Sequence, residues 1–321
     1  MRGLTNDFMN DLKTGDLSVL LQQVVKDDTL CLAIRENYIN VYYRGCNLLR
    51  VETNGKGYKY IFNDKYLNHQ PPQYISMAQL QGLSSIVDYI KAFPLLKQEM
   101  DLWFHDNKRQ YEREFQQHVM RDNNINMTTT TPKGTSNDTD YFVADIEYTN
   151  TENGSRFDLI GVKWPSTGPA RKNGKVTTLA IMEMKYGDGA MNGDAGIIKH
   201  FKDMDLFVKN GKLTMLAQEA ETQFNQLYEL GLVKGINKPI QIDMENQKPE
   251  YLLLPANHKP ASTVLKRELT EALRLYPDVA KNYSIKIAQS CYMGYGLYSK
   301  QMISIGEFLE TAEVEEVGAS I

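Results

Sequence analysis

A chain of 321 residues, 42% hydrophobic and 24% charged, has the make-up of a soluble globular protein with one large core or two modest ones. Its apolar runs fall short of the roughly 18 residues a membrane span needs, and Cys31, Cys46 and Cys291 are too scattered for a zinc site or a disulfide framework. A net charge of -4 excludes the strong basic excess of a non-specific nucleic-acid binder, so any basic surface has to be local.

The chain opens Met1-Arg2-Gly3-Leu4-Thr5-Asn6-Asp7, without the apolar core and small-residue cleavage site of a secretion signal, so a cytoplasmic setting with reduced thiols is expected. Residues 4–25 read as a short helical opening, with Leu17, Leu20, Leu21, Val24 and Val25 at helix-compatible spacing. Thr29 to Val51 is rich in β-branched and aromatic residues and reads as strands broken around Asn37 and Gly45. Asn54-Gly55-Lys56-Gly57 marks a tight turn before a further strand, Tyr58 to Phe62. The breaker run Asn68 to Gln73 then ends a small N-terminal α+β domain with antiparallel strands, residues 1–73, and a second domain takes 74–321. Helix is predicted from about Ser76 to Arg121, interrupted near Pro94, followed by a long polar loop from Asp122 to Asp140.

Three strands come next, Tyr141–Thr149, Arg156–Trp164 and Val176–Tyr186. Asn153-Gly154 and Asn173-Gly174 are hairpin signals between them, which makes the strands antiparallel neighbours. A glycine-rich stretch, Gly187 to Gly196, leads into a helix over about Ala195–Val208, and a second helix covers about Leu216–Leu230. Tyr251–Pro255 reads as a short buried strand, Thr263–Leu275 as an amphipathic helix, and Tyr283–Tyr298 as a final strand pair.

The chemistry stands out against this apolar pattern. In Thr178-Leu-Ala-Ile-Met-Glu-Met-Lys-Tyr186, Glu183 and Lys185 are two apart and share one face of a strand. A strand this apolar is covered on both sides, where charge is costly unless paired or metal-bound. Asp158 interrupts the preceding apolar strand in the same way. If Asn153-Gly154 is a two-residue turn, Glu147 faces Ile160 and Thr149 faces Asp158, which brings Glu147 towards the same patch. Hard cations such as Mg²⁺ use one or two carboxylates plus water and phosphate. With a lysine to orient the attacking water or stabilise developing charge, the set suits phosphodiester hydrolysis.

Asp158 followed by Glu183-Met184-Lys185 on the next strand resembles the signature of the PD-(D/E)XK nuclease superfamily, which includes restriction endonucleases. The resemblance covers Asp101 to Leu254 and implies an α/β (α+β mixed sheet) fold. Its restriction-endonuclease-like core runs helix, three-strand meander, helix, strand. It also implies that Asp158, Glu183 and the Met184 backbone carbonyl, with Glu147 as a further candidate, hold Mg²⁺ or Mn²⁺, and that Lys185 serves the attacking water. A family glutamate on the first core helix matches Glu114, with Glu112 the alternative, and a family glutamine on a later helix matches Gln223. Phe157 stands where the motif has proline. The function implied is a Mg²⁺-dependent nuclease, acting on DNA in repair or defence. The alternative is a catalytically inactive nuclease-fold scaffold that binds nucleic acid or a protein partner. A homodimer is left open, and no membrane partner is expected.

Other residues admit two readings. Lys163, Arg171, Lys172 and Lys175, with no acid among residues 163–175, form either a substrate-binding basic stretch or a solvated hairpin loop. His200 and Asp203 share a helix face and either approach the scissile phosphate or form a polar surface. Gly187 to Gly193 is a substrate loop or a plain turn, and Tyr38, Tyr42, Tyr43 and Arg44 stack on bases or pack the N-terminal sheet.

Overall fold

Thr5 accepts a hydrogen bond from the Phe8 N–H and starts α1 (Asn6–Lys13); α2 (Ser18–Lys26) follows, and the two bury Phe8, Leu12, Leu20 and Val24. The computed structural model describes residues 1–69, 74–107, 110–124, 139–150, 154–173, 176–258, 262–288, 297, 299 and 302–310. The β-branched and aromatic run then forms an antiparallel meander of β1 (Leu30–Ile34), β2 (Tyr38–Tyr43), β3 (Cys46–Thr53) and β4 (Tyr58–Ile61). Arg44 and Gly45, both at positive φ (50° and 71°), make the tight β2–β3 turn. Gly45 is required there twice over, because a Cβ would lie 2.0 Å from the Arg113 carbonyl oxygen.

Serine capping boxes at Ser76 and Ser85 start α3 (Met77–Gln81) and α4 (Ile86–Asp106). The expected break at Pro94 does not occur, and α4 runs through it. One lost backbone hydrogen bond is outweighed by the burial of Phe93, Leu96, Met100 and Phe104 on the same helix. Helix α5 (Tyr111–Asn124) completes this layer.

The larger sheet is mixed. β5 (Tyr141–Thr149) pairs antiparallel with β6 (Arg156–Lys163). The short helix α6 (Gly168–Asn173) lies in the connection to β7 (Val176–Tyr186), which is antiparallel to β6 as expected; Gly174 of the Asn173-Gly174 signal lies outside the described residues. Two helices, α7 (Ile197–Lys209) and α8 (Leu213–Glu229), cross over to β8 (Gln241–Ile242) and β9 (Glu250–Ala256), which both run parallel to β7. Then α9 (Val264–Leu275) and α10 (Pro277–Asn282) lead to β10 (Ser284–Ile287), parallel to β9. The antiparallel partner of β10 is β11 (Ile303–Ser304), not a strand before Tyr298; residues 289–296 lie outside the described ones. The strand order is β11-β10-β9-β7-β6-β5, so β7 is central, as its apolar sequence demands. Gly161 lets β5 approach β6, since a Cβ there would lie 2.0 Å from the Phe142 carbonyl oxygen.

The register of β5 and β6 differs from the expected one. Thr149 pairs with Arg156, not Asp158, because Asn150 N–H donates to Ser155 O and Gly154 N–H to Asn150 O (2.9 Å each), closing a loop wider than two residues. A bulge between Val143 and Asp145 shifts the ladder again.

One buried cluster runs from Leu4 to Leu297 and joins both sheets. Helix α4, beyond residue 73, packs on α2 and β3, while α5 touches both β1 and β5. Asp145 on β5, fully buried, pairs with the guanidinium groups of Arg2 and Arg35, and Arg35 also donates to the Tyr42 hydroxyl (2.8 Å). Gln226 clasps Leu4, with its amide donating to the Leu4 carbonyl (2.8 Å) and its oxygen accepting from the Leu4 N–H (2.9 Å). Among the described residues no helix is long and apolar enough to cross a membrane.

Candidate active site

The central position of β7 forces Glu183 and Lys185 into the interior, where they are 1% and 3% exposed. Being two apart they point the same way, and the Lys185 Nζ lies 2.8 Å from Glu183 Oε1. The β6–β7 ladder ends at Leu159↔Met182. One residue further, the Asp158 side chain takes over the missing backbone partner: its Oδ2 accepts from the Met184 N–H at 2.8 Å. The first turn of α5 brings Glu112, whose Oε2 accepts from the Tyr186 N–H (3.3 Å) and whose Oε1 stands 3.9 Å from Lys185 Nζ. From α7, His200 places Nε2 2.7 Å from Glu183 Oε1 and 3.1 Å from the Ala195 carbonyl. Tyr251 of β9, in register with Ile181, lies fully buried beside Phe201. The Tyr251 hydroxyl, Glu183 Oε2 and His200 Nδ1 are buried without a hydrogen-bond partner among the described residues.

The electrostatics follow from crowding three carboxylates around one ammonium. Burial pushes the Asp158 carboxyl well above the usual carboxylate range, and the Glu183 charge adds to the push; Lys185, against Glu112, and the Met184 N–H only partly oppose it. Glu112 is also raised, first by burial and then by Glu183, against the pull of Lys185. Burial works to raise Glu183 too, but His200 and Lys185 outweigh it and hold that carboxyl below its ordinary value. Burial alone would lower Lys185; Glu183, Glu112 and Asp158 outweigh it, so its ammonium holds its proton more tightly than usual.

A raised carboxyl pKa costs stability. Above the unfolded-state pKa of about 4, folding must either bury the Asp158 charge or take up a proton, and the cost grows with pH until the folded pKa is passed. Asp158→Asn keeps an acceptor for the Met184 N–H and removes the charge. In metal-free buffer it is expected to melt a few degrees above wild type at neutral pH, with no advantage at pH 3–4; equal melting at neutral pH would refute this.

The remaining sequence candidates lie apart from this cluster. Glu114 is held by Arg44, Nε to Oε1 and Nη2 to Oε2 at 3.1 Å each, on another side of α5, so the helix delivers Glu112 instead. The Gln223 amide donates to the Ile34 carbonyl at 2.6 Å and ties α8 to β1. Glu147 lies between the pairs Ile146↔Leu159 and Tyr148↔Phe157, but its backbone is left-handed (φ 59°) and its carboxylate stands 3.4 Å from Arg113 Nε. Lys163 donates to Glu250 Oε1 (2.8 Å). Arg171 is consumed by the carbonyls of Thr139, Trp164 and Pro165 and lies 4.7 Å over the Phe142 ring. The Lys172 side chain and Lys175 lie outside the described residues. Asp203 pairs with Lys199, so it does not share the role of His200. The loop after β7 begins at Gly187 (φ 78°), whose N–H donates to the Ala256 carbonyl at 2.7 Å, and its Asp188 meets His258 at 2.6 Å.

Among the described residues no group of three or more His, Cys, Asp or Glu side chains forms a ready metal cage. The donor set still fits a hard cation held by few protein ligands. Asp158 and Glu183 stand close enough to repel, and Glu183 Oε2 is buried and unspent. Neither a protein-family model, nor a curated protein sequence, nor a solved structure matches this chain.

Proposed function

We propose that this chain is a Mg²⁺- or Mn²⁺-dependent nuclease of the PD-(D/E)XK kind, acting on nucleic acid, DNA first, with its active site at Asp158, Glu183, Lys185 and Glu112. The observation that carries the reading is the approach of Glu183 and Glu112 to one buried lysine at the end of a central strand, with Asp158 bonded to the N–H of Met184, between Glu183 and Lys185 in sequence, and a Glu183 oxygen left unpartnered among the described residues. The order α5, β5–β6–β7, α7, β9 supports a restriction-endonuclease-like core.

Asp158, Glu183 and the Met184 carbonyl would hold the cation. When bound, the cation supplies Lewis acidity to the phosphoryl oxygen and to water. His200 fixes the Glu183 carboxylate from α7. Lys185, whose proton is held by its acidic neighbours, does not act as a base; its ammonium orients water and neutralises charge growing on the phosphate. Glu112, raised by burial, takes up a proton more readily than an exposed carboxylate and is the candidate proton acceptor.

The test is incubation with supercoiled, linear and single-stranded DNA and with RNA, with and without Mn²⁺. Cleavage is expected only with metal. A Mn²⁺-induced rise in melting temperature is expected for wild type and not for Asp158→Ala. Absence of both cleavage and the melting shift would sink the reading. One observation favours the alternative of an inactive scaffold: Lys185 Nζ and His200 Nε2 both lie against Glu183 Oε1, at 2.8 and 2.7 Å, as partners in a structural network would. That alternative is recognised by nucleic-acid or protein binding indifferent to metal.

A further inference from the structure

Helix α5 does more than deliver Glu112. Tyr111, Phe115 and His118 follow one another at helical spacing and share a face. Their rings form a file with Tyr186, the residue after Lys185. Tyr111 stacks on Tyr186 (centroids 4.8 Å apart, planes at 29°), Phe115 lies 5.0 Å from Tyr186, and His118 lies 6.0 Å from Phe115. Apart from Tyr186 N–H donating to Glu112, nothing in this file belongs to the constellation described above. All four residues are half-buried.

The file ends at a cavity of about 320 Å³ between α4, α5 and the β2–β3 turn. Tyr43, Arg44, Asp101, Glu114, His118 and Arg121 are among its lining residues. Its charges balance. Arg44 reaches Asp101 at 2.7 Å and Glu114 at 3.1 Å, Tyr43 donates to Asp101 at 3.0 Å, and Arg121 donates to the Asp28 carbonyl at 2.7 Å. Two carboxylates beside two guanidinium groups disfavour a phosphate. The donors are engaged within the wall, but each Glu114 oxygen accepts only one of these bonds and keeps a lone pair, which, beside aromatic rings, suits a flat neutral ligand with amino groups on its edge. An unpaired nucleobase is such a ligand. From Glu112 to His118 the helix rises about 9 Å, a reach suited to a nucleotide near the one being cleaved.

We propose that the α5 ring file and the cavity beyond it receive an unpaired base close to the scissile phosphate, so that the site takes single-stranded or locally unpaired nucleic acid. The choice of ligand rests on the nuclease reading. A base inside a duplex would first have to leave its stack, so paired strands are disfavoured.

The experiment uses the full chain in EDTA. Fluorescence anisotropy measures binding of a labelled single-stranded oligonucleotide and of a blunt duplex of the same sequence. The single strand is expected to bind more tightly. Tyr111→Ala is expected to weaken that binding about tenfold and His118→Ala to weaken it less, with both variants still folded by circular dichroism and Tyr111→Ala melting somewhat lower through loss of its stack on Tyr186. Tyr111→Phe is expected to bind like wild type. Equal or tighter binding of the duplex, no binding of either, or single-strand binding unmoved in both alanine variants overturns the inference. Adding Mn²⁺ separates the two claims. Duplex cleavage unaffected by Tyr111→Ala sinks this inference and leaves the nuclease reading standing. Ring-dependent single-strand binding without cleavage does the reverse.

Discussion

Lys185→Ala is expected to lower the rate of metal-dependent cleavage by about 10²- to 10³-fold, the usual cost of removing one preorganised charge from a site where negative charge develops. The same substitution has a second, opposite signature in stability. In wild type the Lys185 ammonium offsets Glu183 at 2.8 Å and Glu112 at 3.9 Å. Removing it strips the buried Glu183 carboxylate of its ammonium partner, so the metal-free variant is expected to lose about 2 kcal/mol. A divalent cation replaces the missing charge. The Mn²⁺-induced melting shift of Lys185→Ala is therefore expected to exceed that of wild type, although the variant no longer cuts. Thermal melts with and without Mn²⁺, beside a cleavage time course, check both halves. A variant with a wild-type cleavage rate, or a metal shift smaller than that of wild type, would show that Lys185 is only a structural partner of Glu183.

Asp145→Ala is expected to destabilise the chain by about 3–5 kcal/mol, because it strands two arginine side chains that meet one buried carboxylate. Arg2 and Arg35 approach from the N-terminal strand region, while Asp145 belongs to β5 of the larger sheet. The loss therefore falls on the seam between the two sheets. For a chain this long it corresponds to a fall in melting temperature of roughly 4–7 °C. The exposed pair of Lys13 with Glu229 provides the contrast: Glu229→Ala is expected to change stability by less than about 1 kcal/mol. Denaturant melts of the two variants decide the matter, and equal effects would mean that Asp145 does not fasten the seam.

Asp158, Glu183 and Lys185 were legible in the sequence because charge inside an apolar strand has few explanations. Their company was less so. Choosing between Glu112 and Glu114 needs the rotational phase of α5, and the helix is polar enough, with Gln116, Gln117 and Asn123 buried, that its inward face cannot be read from hydrophobicity. His200 carried a signal only through its spacing from Asp203, yet Asp203 turns to Lys199 and His200 alone reaches Glu183. Tyr251 was invisible, since a tyrosine in Tyr-Leu-Leu-Leu reads as packing. The basic stretch around Arg171 suggested a surface, but its partners are carbonyls, including that of Thr139 from a distant segment. The Asn153-Gly154 signal is local and could not reveal the bulge near Ala144 that resets the ladder.

The crossover from β7 through two helices to β9 governs how the chain must assemble. During synthesis β7 and its β6 neighbour emerge first, while the partner for the other edge of β7 is still to be made. Until β9 arrives, the central strand of the larger sheet has an open edge able to pair with another chain. Parallel pairing across so long a connection is entropically slow to form. The charges at Glu183 and Lys185 lie on the same segment as that open edge. Apart from the role proposed for them, charges placed there disfavour pairing of the nascent strand with another chain.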